Sequence, residues 1–169
     1  MMSGRDRASA ALLVFFIAVA VTGELYFVWN HARLSESHSI VARGFALYAR
    51  GDRAYYNHVT AFELGLETFN ILFTQPLNLL ILWGIRRRAA WRYPLQLGVC
   101  SYVCYSTVLY LLSNHLSGYA EMPRHDAASF AVFYLPNVPW VAGTGWMAWD
   151  AARSISAASR RIEKEAISI

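Results

Sequence analysis

Lysine occurs once in this 169-residue chain, at Lys164, and cysteine only twice, at Cys100 and Cys104. Two thiols one helical turn apart supply neither a disulfide framework nor the ligands of a zinc site, so both read as small apolar packing residues. Charged residues make up only 15% of the chain, too few and too clustered to cover a water-soluble domain of this size. Gly143-Thr-Gly145 is too short for a nucleotide-binding loop, no Ser-His-Asp spacing stands out, and there is no internal repeat. The formal charge of +4 does not point to nucleic acid, because the basic residues are almost all arginines at the ends of apolar runs, where they flank a bilayer.

What is present is apolar. Hydrophobic residues make up 56% of the chain and the mean hydropathy is +0.29. Four long apolar runs, about 8–29, 59–85, 95–112 and 129–149, predict an all-α integral membrane protein, a four-transmembrane-helix bundle within residues 1–152. Residues 153–169 form a charged tail. The first run is long and ends near a buried Glu24, so it reads as a retained helix and not as a cleaved leader. In the first connection, Ser39 to Arg50 has a helical apolar pattern with Gly51 as its stop, and predicts a short helix lying on the membrane surface. With four spans, the N-terminus, the Arg86 to Arg92 turn and the tail share one side, which holds ten of the fifteen Lys and Arg residues. The positive-inside rule makes that side cytoplasmic. The membrane is the cytoplasmic membrane in a bacterium, which the Arg-rich and Ala-rich bias weakly favours, or the endoplasmic reticulum in a eukaryote.

The chain is organised around Glu63 to Pro76. Steps of three and four residues from Glu67 reach Asn70, Thr74 and Asn78, so the polar groups form one stripe on an otherwise apolar helix. Ionisable groups inside a bilayer cost several kcal/mol unless they face a bundle interior or a wet cavity, which makes Glu67 a functional candidate by default. Glu24 and Glu67 should both lie roughly 8 to 12 Å below the non-cytoplasmic surface, counting 1.5 Å per residue. Thr107, Tyr110 and Asn137 fall in the same half of the bilayer, with Trp140 one turn deeper. Four helices thus bring polar residues to one level, whereas simple helix glue needs only pairs.

Tyr48-Ala-Arg-Gly-Asp-Arg-Ala-Tyr55, Glu67-Thr…Pro76, Leu95-Gln-Leu97, Val108-Leu-Tyr110 and Asn137-Val-Pro-Trp140…Trp149-Asp-Ala151 occur in an order and spacing that resemble the emopamil-binding protein family. This EXPERA-domain group includes the sterol Δ8 to Δ7 isomerase and the sigma-2 receptor. The resemblance implies a helical bundle with a sterol-sized pocket, a homodimer as a frequent state, and no metal or organic cofactor. Residue by residue, Glu24 and Glu67 match the isomerase's first- and second-helix glutamates, and Asn137 and Trp140 match its fourth-helix asparagine and tryptophan. In that isomerase a ring alkene is protonated to a carbocation, which carboxylates and an indole face stabilise until a neighbouring carbon loses a proton. A carboxylic acid in an apolar pocket is held protonated, as an alkene-protonating acid must be. A tryptophan face attracts a desolvated cation by up to about 2 kcal/mol.

The departures bear on the chemistry. Ala20 stands where the isomerase has a histidine, Thr107 replaces an acidic residue, and Asn70 replaces a threonine. Glu63 adds a carboxylate one turn before Glu67, where two like charges favour one shared proton; it also suits a solvated helix start, beside the positive end of the dipole. Asn137 alternatively satisfies backbone freed by Pro136 and Pro139. His58 and His115, at span ends, read either as solvated side chains or as a proton relay replacing the histidine missing at position 20. Two classes of function follow. In one, Glu24 and Glu67 are catalytic, and Glu63, Asn70, Thr107, Tyr110, Asn137 and Trp140 bind a steroid or terpenoid alkene for isomerisation, or for a related acid-initiated cyclisation. In the other, the protein binds sterols or cationic amines without turnover. Expected partners are a hydrophobic small molecule and membrane lipids, with no nucleic acid.

Overall fold

The computed structural model describes residues 2–167, and every regular element among them is helical. Inside hydrocarbon the backbone has no water to bond, and a helix satisfies its N–H and C=O groups within one segment. The chain forms α1 (Gly4–Glu36), α2 (Ile40–Tyr48), α3 (Ala61–Arg87), α4 (Arg92–Leu116) and a last helical run, α5, over residues 127–167. Of these, α1, α3 and α4 are long and apolar enough to cross a membrane. Their outward faces carry apolar side chains such as Leu72, Phe73 and Leu116, which are 55% to 75% exposed. The fourth span expected at 129–149 falls within α5, where Pro136 and Pro139 break the regular hydrogen bonding. The helix continues through Ile167, so the charged tail is helical as far as it is described.

Polar caps set where these helices begin. Ser39 accepts from the Ala42 N–H at 3.1 Å, Thr60 from Phe62 at 3.3 Å, and Asp126 from Ser129 at 2.8 Å. At its other end α3 stops on Arg88, which adopts a left-handed conformation.

Two apolar clusters fill the bundle. The one nearer the chain's N-terminus joins Leu13 and Phe16 of α1 to Ile81 and Ile85 of α3, Val99 and Val103 of α4, and Met147 of α5. The second joins Phe27 and Leu34 of α1 to Ala42, Tyr55, Tyr110, Met122 and Phe133. Beyond the first cluster lies an ionic clamp. Arg92, only 3% exposed, pairs with Asp6 of α1 and donates to Gln96 Oε1 at 3.3 Å, while Gln96 donates to the Met147 carbonyl of α5 at 2.9 Å. Its guanidinium is therefore not part of a solvated basic turn. The Asp6 carboxylate, the Gln96 amide oxygen and the Tyr93 hydroxyl, which accepts from Arg92 at 3.0 Å, satisfy it inside the bundle, the condition for burying a charge.

The connection from α2 to α3 is folded inward. Asp52 and Ala54 are fully buried and Tyr55 nearly so. Gly51 permits this, because a Cβ there would lie 2.7 Å from the Phe133 backbone nitrogen. Its role is a close approach to α5 as well as an end to α2.

Candidate functional site

Between the two apolar clusters lies a polar layer, and α1, α3 and α5 each change geometry there. Residues Ala20–Glu24, Asn70–Thr74 and Pro139–Gly143 are single π-helical turns. Such turns bulge the backbone and recur at functional sites. Each contains a residue expected at the site: Glu24, Asn70 and Trp140.

These residues surround one cavity of about 60 Å³, together with Glu67, Thr107, Tyr110 and Asn137. Seven of the eight expected site residues therefore meet. The Asn70 amide donates to Glu24 Oε2 across the α1–α3 interface and accepts from Gln75 Nε2 at 3.1 Å. Glu24 and Glu67 are close enough for their charges to interact. Trp140 stacks on Phe16 with ring centroids 4.3 Å apart and an interplanar angle of 21°, which fixes the indole in the wall.

Glu63 is the exception. It is buried at the start of α3, takes a hydrogen bond from the capping Thr60 hydroxyl, and does not line the cavity. Thr107 does line it, but its hydroxyl proton goes to the Val103 carbonyl at 2.9 Å, so it presents only oxygen lone pairs. Asn137 donates to the Phe133 carbonyl at 2.8 Å and to the Tyr48 hydroxyl at 3.2 Å. Its amide hydrogens are thus spent on protein, and its Oδ1 is what remains for a bound molecule. Ala20 is fully buried within the α1 π turn. His58 sits at the surface, 2.7 Å from Glu121. His115 is exposed and hydrogen-bonds Tyr119 at 3.0 Å. Neither histidine lines the cavity.

The folded-in connection adds groups that periodicity did not place there. Tyr55 donates to Glu67 Oε1 at 2.7 Å. A second chain of donors runs from Asn137 to Tyr48, from Tyr48 to Tyr110 at 3.3 Å, and from Tyr110 to Asp52. Each hydroxyl both accepts and donates, which polarises the chain toward the carboxylate. The three tyrosine rings meet edge to face, with Tyr55 5.4 Å from Tyr48 and 5.9 Å from Tyr110. Burial pushes Asp52 up to about 6 and Tyr48 up to about 12, and it raises Tyr55 well above an ordinary phenol with the Glu67 charge adding to the effect. The only trace of these residues in the sequence is the Tyr48 to Tyr55 segment on which the family resemblance partly rests.

Fold and site together define a helical membrane protein that holds two neighbouring carboxylates and an indole around a small polar cavity. Residues 45–151, well over half of the chain, match the family described as EBP: EXPERA (EXPanded EBP superfamily), and the protein belongs to that family. The matched segment contains every cavity residue expected from the sequence except Glu24, which precedes it on α1.

Proposed function

We propose that the protein is a cofactor-free isomerase of a steroid or terpenoid alkene, working inside the membrane by protonation and deprotonation through a carbocation. The observation that carries this is the meeting of Glu24 and Glu67 around one cavity whose wall also holds Trp140 and Asn137. Two interacting carboxylates favour one shared proton. The protonated member delivers it to an alkene carbon. The cation that forms faces the indole and the Asn137 carbonyl dipole, and loses a proton from a neighbouring carbon to the other carboxylate. The proton count of the pair is restored, so no redox partner is required.

A cavity of about 60 Å³ holds roughly two waters, far below the ~300 Å³ or more of a typical ligand pocket. Substrate admission therefore requires the wall to open. Tyr102 offers a place, since it lines the cavity, is 38% exposed, and packs on Phe69 of α3 at 5.3 Å. In this arrangement α5 supplies the fourth span, α2 rests at the membrane surface, and both termini are cytoplasmic, in keeping with the arginine distribution.

The test is incubation of purified protein with candidate alkenes in deuterated water. Deuterium in a double-bond-shifted product, lost in Glu67→Gln with folding intact, is the expected result. Ligands that bind tightly yet never acquire deuterium would instead make this a binding protein.

A further inference from the structure

The end of the molecule nearer the cavity carries five of the fifteen basic residues, Arg33, Arg43, Arg50, Arg53 and Arg124. Three of the five line a single groove. It measures about 690 Å³ and lies between the connection after α2 and the start of α5, with Arg50, Arg53 and Arg124 facing one carboxylate, Asp126. That carboxylate is already engaged in capping α5 through the Ser129 N–H. Arg53 is anchored through the Ala120 carbonyl at 3.3 Å and stands 3.9 Å from Glu121, but its buried Nε has no acceptor. Arg50 forms no salt bridge among the described residues, and neither does Arg124. Three guanidinium groups thus stand against two carboxylates, Glu121 and Asp126, both already engaged within the protein, and the excess positive charge is what a bound anion relieves; Arg matches phosphate oxygens through paired donors.

A second groove of about 370 Å³ shares Val132 with the first and runs between α2 and α5. Its walls are Gly44, Leu47, Ala131, Leu135 and Pro136, with the Tyr48 ring as the one polar side chain. A cationic recess that adjoins an apolar trough across Val132 suits an amphiphile with a negative head and a hydrocarbon tail.

We propose that this composite groove binds an anionic phospholipid, with the phosphate held by Arg50, Arg53 and Arg124 and one acyl chain lying between α2 and α5. Basic recesses at the ends of membrane helices hold phosphate headgroups in this way. The lipid would brace α2 against α5 on the far side of Tyr48 from the carboxylate cavity. The site does not depend on the chemistry proposed for Glu67.

The full-length protein, reconstituted in nanodiscs or kept in mild detergent, is titrated with phosphatidylglycerol and with phosphatidylcholine of the same acyl chains, and retained lipid is read by native mass spectrometry. Phosphatidylglycerol should be preferred by roughly tenfold or more. Arg50→Gln combined with Arg124→Gln should abolish that preference, and Leu135→Trp, which fills the trough, should weaken retention with the headgroup site intact. Unchanged melting temperatures show that the variants fold. Equal retention of the two lipids overturns the proposal, as does an undiminished preference in the double variant. Displacement of the lipid by equimolar inorganic phosphate or glycerol 3-phosphate also overturns it, since the site would then take a soluble anion without the tail.

Discussion

The Tyr55 hydroxyl donates to Glu67 Oε1 at 2.7 Å, so a side chain from outside α3 holds the central carboxylate of α3 in place. Tyr55→Phe keeps the ring contacts to Phe27 at 5.2 Å and to Tyr48 while removing this one bond. A buried acceptor left short of a donor costs about 1–3 kcal/mol. Thermal unfolding in detergent should show that loss. Turnover should fall as well, because Glu67 is freed to reorient. A melting curve identical to that of the parent would mean the bond contributes nothing.

Asp52 gives stability a pH dependence of definite sign. Its folded-state value of about 6 lies above the ordinary 3.8, because burial disfavours the carboxylate. Between roughly pH 4 and 6 the folded protein binds more protons at this site than the unfolded chain does, so stability falls as pH rises through that window and levels off above it. The full change is about 3 kcal/mol. Asp52→Asn keeps the shape but cannot ionise, so its melting temperature should lose this component of the pH dependence and gain most, relative to the parent, near pH 7.

Gly51→Ala should damage the docking of the inward-folded connection. The new methyl group meets backbone atoms of Phe133 at 2.7 and 2.9 Å, and backbone cannot swing aside as a side-chain tip does. We expect a loss of about 1–3 kcal/mol, the usual cost of overpacking. Hydrogen exchange should rise first in residues 51–56. Protection equal to the parent there would contradict the contact.

Removing the ionic clamp should act at the other end of the bundle. Arg92→Gln leaves Asp6 without its cation and breaks the link from α1 to α4. Breaking a buried pair costs about 3–5 kcal/mol, and the partial exposure of Asp6 sets the lower figure as the expectation. A large drop in melting temperature should result. The double variant Arg92→Gln with Asp6→Asn should recover part of it, because no lone charge remains.

Much of the architecture is legible in the sequence because hydrocarbon imposes it. Long apolar runs must be helices in a bilayer, and the three- and four-residue spacing that puts Glu67, Asn70, Thr74 and Asn78 on one face is a local property of helix geometry. Depth along a span follows from the rise per residue, which is why Glu24, Glu67, Thr107, Tyr110 and Asn137 are expected in the same half of the bilayer with Trp140 one turn deeper, and all six line the cavity. Rotation and approach are different quantities. Periodicity ranks Glu63 with Glu67, yet one turn closer to the helix start is enough to turn Glu63 over to Thr60 as a capping partner.

What only the tertiary structure decided is how the connection before α3 folds back on the bundle. Asp52 and Tyr55 are separated in sequence from Tyr110 and Phe133 by dozens of residues, and a polar, Gly-containing segment reads locally as a solvated loop. Its burial depends on a glycine without a Cβ to strike α5, on phenols that satisfy one another, and on a carboxylate partnered by Tyr110 and the Ala54 N–H. The same holds for the π turns at Ala20–Glu24 and Asn70–Thr74, whose five residues contain no proline, whereas the third begins on Pro139. Local sequence sets helix existence, face and depth through short-range sterics and hydrophobicity; long-range packing sets which side chains close the cavity, because that choice is made by partners distant along the chain.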